Sequence, residues 1–121
     1  MEKKNLDWKH IGFAYHTTDY RYVADYKDGK WQEGYMSDSP NIVLNECAGI
    51  MQYCQEVFEG LKAYETADGR IVTFRSDLNA DRMYHSAERM EMPPFPKERF
   101  IEAVEKVVKA NEAWVPPYGS G

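Results

Sequence analysis

Glu56-Val57-Phe58-Glu59-Gly60-Leu61-Lys62-Ala63-Tyr64 is the stretch on which the fold turns. Its side chains alternate as those of a strand must. Val57, Leu61 and Ala63 fall on one face, and Phe58, Gly60 and Tyr64 on the other. Ala67-Asp68-Gly69-Arg70 follows as a turn, and Ile71 to Arg75 reads as a second strand, so 56–75 is expected to form a hairpin. A glycine within a strand costs stability and marks a place where a ligand or another backbone comes close, which singles out Gly60.

Upstream, Tyr20, Tyr22, Ala24 and Tyr26 share a face, Asp28-Gly29 follows, and Lys30 to Tyr35 resumes. Asp-Gly between two such runs is a strong hairpin signal. Ser37 to Pro40 breaks the pattern, and a short helix around Leu44 to Met51 fits weakly. Downstream the period changes from two to 3.6. Ser76 or Asp77 can cap a helix reaching about Met90, with Ala80, Met83, Ala87 and Met90 as its apolar stripe. Arg82 and Arg89 share another face of it. Met92-Pro93-Pro94-Phe95 ends that helix, and Pro96 suits the first turn of the next. Phe100, Ile101, Val104, Val107, Val108 and Asn111 recur at helical spacing, while Glu102–Lys106 and Glu105–Lys109 are i,i+4 pairs in the favourable order. The expected fold is therefore α+β: an antiparallel sheet from two hairpins with two C-terminal helices packed on it, in one domain spanning 1–121.

The chain has 121 residues, 43% of them hydrophobic, enough to expect a real core. Its net charge is -5 with no basic run, which argues against nucleic-acid or membrane-surface binding. No apolar run approaches the ~20 residues of a membrane span, and the charged N-terminus has no apolar segment behind it, so no secretory signal is read there. Cys47 and Cys54 lack the clustering of a zinc site and the spacing of a redox motif. They read as reduced thiols of a cytoplasmic protein.

Familiar catalytic signals are missing. There is no phosphate-binding glycine loop and no Gly-x-Ser-x-Gly elbow. His10, His16 and His85 are scattered, and no metal site is expected. The residues alone specify an α+β domain and no reaction.

One ordered set of residues says more. Tyr53 leads to Phe58-Glu59-Gly60-Leu61-Lys62-Ala63-Tyr64, then Asp68-Gly69-Arg70-Ile71, Phe74-Arg75, Asp77-Leu78-Asn79-x-x-Arg82-Met83 and Ser86-Ala87-x-Arg89-Met90. This resembles the small domain of the fold-type IV aminotransferases, which use pyridoxal phosphate. The tail Trp114-Val115-Pro116-Pro117-x-Gly119-x-Gly121 is similar to that of the branched-chain amino acid subgroup. Each piece is weak alone; their order and spacing together are specific.

The resemblance implies a homodimeric enzyme moving an amino group between Leu, Ile or Val and 2-oxoglutarate. It implies that the cofactor-bearing lysine lies in a large C-terminal domain outside this chain, so that no residue here is catalytic and the segment alone is inactive. Arg82 matches the position that binds the cofactor phosphate, a task suited to a permanently charged, two-pronged guanidinium. Without the resemblance, Arg82 would be an outward helix arginine paired with Asp81 or Asp77. Phe58 and Gly60 match the lining of the substrate side-chain pocket; otherwise they are a core residue and a bulge. Tyr53 matches a tyrosine that closes the pocket of the neighbouring subunit; otherwise it is a packed aromatic. Lys62 matches a basic position of the family that is not the catalytic lysine. A D-amino acid aminotransferase or an aminodeoxychorismate lyase would share the Phe-Glu-Gly and Arg82 signals but not the Trp-Val-Pro-Pro tail. A stand-alone interaction module of the same fold is the non-enzymatic alternative.

Overall fold

The computed structural model describes residues 2–120. Its elements run β1 (Arg21–Val23), β2 (Tyr26–Lys27), β3 (Lys30–Trp31), β4 (Tyr35–Ser37), α1 (Gly49–Tyr53), β5 (Ala63–Glu65), β6 (Ile71–Thr73), α2 (Ser76–Arg89), α3 (Lys97–Ala110) and a 3₁₀ turn at Glu112–Trp114. All strand pairs are antiparallel: β1 with β4, β2 with β3, and β5 with β6. The α+β architecture of hairpins followed by two helices is as expected.

The first hairpin turns where Asp-Gly predicts. Asp28 and Gly29 both have positive φ (53° and 74°), the signature of the tight turn whose twist matches that of its strands. Its two ladders are out of step. Two residues separate Val23 from Tyr26, but three separate Trp31 from Tyr35, so Gln32, Glu33 and Gly34 carry a bulge that bends the ribbon. A Cβ on Gly34 would overlap the phenol of Tyr22, so a larger residue there requires that ring to swing aside.

The second hairpin is shorter than expected. Regular pairing covers only Ala63–Glu65 and Ile71–Thr73. Among the described residues, 56–62 have no partner strand, and at Gly60 side chains take the backbone groups instead: its N–H donates to Glu59 Oε1 (3.1 Å) and its carbonyl accepts from Asn79 Nδ2 (3.0 Å). The alternation of faces survives nevertheless. Val57, Glu59, Leu61 and Ala63 are partly buried, and Phe58, Gly60, Lys62 and Tyr64 are exposed. The second strand stops at Thr73 rather than Arg75, since Arg75 is left-handed (φ 50°).

The short helix is displaced from 44–51 to Gly49–Tyr53. Asn45 accounts for the shift. Its Oδ1 accepts the Cys47 N–H (2.8 Å) and its carbonyl accepts the Ala48 N–H (2.9 Å), a local turn that competes with helix. Helix α2 begins after Arg75 with no side-chain cap, so neither Ser76 nor Asp77 plays the capping part. Asp77 instead takes the Arg75 guanidinium at 2.8 Å.

Helix α2 ends without a glycine. Glu91 is left-handed (φ 53°), its N–H bonding Glu88 O (3.1 Å) and the Met92 N–H bonding Ala87 O (2.9 Å). Glu91→Gly is accordingly expected to raise stability by roughly 0.5–1 kcal/mol, the left-handed penalty less the extra freedom of unfolded glycine. Urea unfolding of the two proteins checks this, and an unchanged or lower midpoint would contradict it. Pro96 stands just before α3 rather than in its first turn, and its carbonyl accepts from Phe100 N–H (2.9 Å). Glu102 and Lys106 pair at 2.6 Å; among the described residues Glu105 and Lys109 form no ion pair.

The core is thinner than composition suggests. Among the described residues the buried apolar ones are Ala80, Ala87, Ala113 and Val115, and no large side chain is fully buried. The accessible surface is 9294 Å². A compact monomer of 14.1 kDa would expose only about 6,700 Å². Phe13, Val43, Ile42, Tyr53, Phe58 and Phe74 all lie open. The hydrophobic residues are present, but short ribbons and two helices do not enclose them.

Candidate anion site at Glu59 and Arg82

Two elements build the site: the extended segment 57–61 and the middle of α2. Asn79 and Arg82, three apart, lie on one face of α2 and reach the same carboxylate. Glu59 Oε1 accepts from Asn79 Nδ2 (2.7 Å), from Gly60 N–H (3.1 Å) and from Arg82 Nη2; Oε2 accepts from Arg82 Nε (2.7 Å). The Glu59 side chain is only 4% exposed, whereas that of Arg82 is 66% exposed. The pair is thus a hidden carboxylate beneath an open guanidinium. The Arg82 bonds, reinforced by Asn79 and the Gly60 N–H, hold the Glu59 carboxyl below its ordinary range despite its desolvation. The same bonds raise the Arg82 guanidinium further above its ordinary value.

Arg82 has five N–H donors. Glu59 takes two of them, on the Nε–Nη2 side. Among the described residues no other acceptor is bonded to Arg82. The Nη1–Nη2 edge is therefore the two-pronged face that suits a phosphate. Neither Asp77 nor Asp81 is the partner of Arg82: Asp77 pairs with Arg75, and Asp81 with Lys97 at 2.6 Å.

Beside this pair the chain presents the opposite face of the same segment. Phe58 is 90% exposed, so it is not a core residue. A Cβ on Gly60 would meet the Phe58 ring at 3.4 Å, so the glycine leaves clear the space flanking that ring. Tyr53 is not part of this cluster. It ends α1 and is 83% exposed, beside Gln55 and the C-terminal end of α2 at Arg89, Met90 and Glu91. Lys62 lines a different, more apolar groove of about 570 Å³, with Trp8, Phe13 and Trp114 among its walls.

Neither Glu59 nor Asn79 stands out in the sequence as a site residue. The available signal was Asn79 preceding Arg82 by one helical turn, with a carboxylate inside Phe58-Glu59-Gly60. Cys47 and Cys54 are both exposed and unbridged. No group of three or more His, Cys, Asp or Glu side chains among the described residues is placed to hold a metal ion. No helix among the described residues is long and apolar enough to cross a membrane.

No family model matches the chain. Individual proteins do. A branched-chain-amino-acid aminotransferase of Haemophilus influenzae is 48% identical over 118 residues, which is 98% of this chain and 34% of that protein. One of Helicobacter pylori is 43% identical over 118 residues, 98% of this chain and 35% of that protein. A methionine aminotransferase of Arabidopsis thaliana is 42% identical over 118 residues, 97% of this chain and 33% of that protein. The chain spans about a third of the length of the curated relatives it matches. The likeness, extending over nearly every residue, is that of a segment of a branched-chain-amino-acid aminotransferase.

Proposed function

We propose that residues 1–121 form the N-terminal small domain of a cytoplasmic, homodimeric aminotransferase that exchanges an amino group between Leu, Ile or Val and 2-oxoglutarate with pyridoxal phosphate. The carrying observation is the open guanidinium of Arg82, seated on a buried carboxylate beside the exposed Phe58 and the bare Gly60. When bound, pyridoxal phosphate supplies the carbonyl that takes up the amino group and the ring that withdraws electrons from it. Arg82 grips the phosphate end through its free edge. Phe58 offers an apolar wall to the substrate side chain, and Gly60 leaves clearance for it. Tyr53, standing apart on α1, closes the pocket of the neighbouring subunit.

The large domain carries the cofactor-bearing lysine and covers the apolar surface left open here. An accessible area about 2,600 Å² above that of a compact monomer of this size supports such a covering. The segment alone therefore does not transaminate.

Replacing Arg82 tests the anchor. In the longer protein, Arg82→Met is expected to weaken pyridoxal phosphate binding about 30-fold, the loss of a charge-assisted, two-pronged contact. Fluorescence titration of the apoprotein measures it. Unchanged affinity would remove Arg82 from the phosphate site. Transfer from leucine to 2-oxoglutarate by the longer protein, followed as glutamate formed, tests the activity itself.

A further inference from the structure

We propose that Glu59 is a positioning residue for Arg82: its buried carboxylate clamps the Nε–Nη2 side of the guanidinium so that the Nη1–Nη2 edge is held ready for the cofactor phosphate. The proposal rests on Arg82 being the phosphate anchor. It adds that the anchor is ordered before the phosphate arrives.

Three observations carry it. The carboxylate is itself fixed, with Oε1 bonded to Asn79 Nδ2 and Gly60 N–H as well as to Arg82. It lies at 4% exposure, so water has little access to the carboxylate half of the clamp. The two guanidinium edges are also distinct, so carboxylate and phosphate do not compete for the same donors. A free arginine side chain loses much rotamer freedom when it grips a ligand, and one already clamped loses less.

There is a rival reading with the opposite sign. Glu59 could be a counter-ion that neutralises Arg82 and that the phosphate must overcome. Removing its charge would then tighten binding. If Glu59 orders the guanidinium, removing the charge weakens binding although the site becomes more positive.

The test is a double-mutant cycle in the longer protein, read as the dissociation constant of pyridoxal phosphate from the apoprotein, with pyridoxal as the control lacking phosphate. Glu59→Gln keeps the side-chain volume, and we expect it to weaken pyridoxal phosphate about 10-fold and to leave pyridoxal within about 2-fold. In the Arg82→Met background the same substitution should change affinity less than about 2-fold, because Glu59 acts through Arg82. Should Glu59→Gln fail to fold, as judged by thermal unfolding of the apoprotein, Asn79→Ala loosens the same carboxylate while keeping its charge. We expect a loss of about 3-fold from it, again only when Arg82 is present.

Tighter or unchanged pyridoxal phosphate binding in Glu59→Gln overturns the proposal. So does an equal loss with and without Arg82, or an equal loss for pyridoxal. If Arg82→Met alone leaves affinity intact, the phosphate-anchor reading falls first. If Arg82→Met weakens binding and Glu59→Gln does not, only the positioning role is lost.

Discussion

Asn111→Leu is expected to lower the stability of the fold by about 3 kcal/mol, although the two side chains are close in size. Asn111 follows the last turn of α3 and is 7% exposed. Its Nδ2 donates to Tyr20 O (2.8 Å) and to Val107 O (2.9 Å), and its Oδ1 accepts from Tyr20 N–H (3.0 Å). The amide thus completes the backbone pairing of Tyr20 just ahead of β1, joining positions 91 residues apart. Leucine would fill the space and leave both polar groups of Tyr20 without partners. Each such group costs about 1–3 kcal/mol when it stays buried. Tyr20 is 45% exposed overall, so water can recover part of the loss, which sets the estimate in the lower half of the summed range. Asn111→Asp should be at least as harmful at neutral pH. It keeps the acceptor for Tyr20 N–H but turns a carboxylate oxygen toward two carbonyls. Urea unfolding decides it: a loss under about 1 kcal/mol for Asn111→Leu would mean that the Tyr20 bonds contribute little net stability.

Asn111 also shows how far the sequence could be read. Its place on the apolar stripe of α3 was plain from spacing, and so was its being the one polar member. Its partner was not, because a contact across 91 residues leaves no local periodicity. The same division runs through the fold. Asp28-Gly29 sets its turn by backbone chemistry alone, and the α2 stripe of Ala80 and Ala87 follows from a period of 3.6; both were legible. Alternation over 56–62 predicts a paired strand, and the structure departs from it for a tertiary reason. Alternation reports which side of a segment is covered, and here α2 covers it through Asn79 and Arg82 rather than a partner strand. At the site, Arg82 and Phe58 stand out by likeness to known enzymes, and Gly60 both by that likeness and as a glycine inside an alternating segment. Glu59 stood between them unread, since a carboxylate beside a glycine carries no signature until the helix that faces it is in place.

Trp31→Ala is the second large effect, expected at about 3 kcal/mol, toward the lower end for a truncated aromatic because the indole is only partly buried. Trp31 ends β3 and is the point at which the first hairpin meets the helical half of the chain. Its ring stands edge-on to Tyr26 (5.3 Å) and to Phe95 (4.9 Å), arrangements worth about 0.5–1.5 kcal/mol each beyond area buried. Its Nε1–H donates to Pro94 O (2.9 Å). Arg99, in the first turn of α3, lies over Phe95 at 5.2 Å and donates to Gln32 O (2.5 Å) and to the carbonyl of Trp31 itself (3.4 Å). Truncation removes the rings' common partner and strands the Pro94 carbonyl, while the Arg99 bonds, which go to backbone, persist. The hairpin should therefore loosen rather than detach, and amide exchange in 21–37 should quicken more than in α2. Trp31→Phe separates the contributions: it keeps one aromatic contact and loses the donor, so it should cost about 1–2 kcal/mol. Equal losses for the two variants would assign the stability to the Nε1–H bond. A loss below about 1 kcal/mol for Trp31→Ala would show that the Arg99 bonds and the Asn111–Tyr20 bonds dock the ribbon on α3 without the indole.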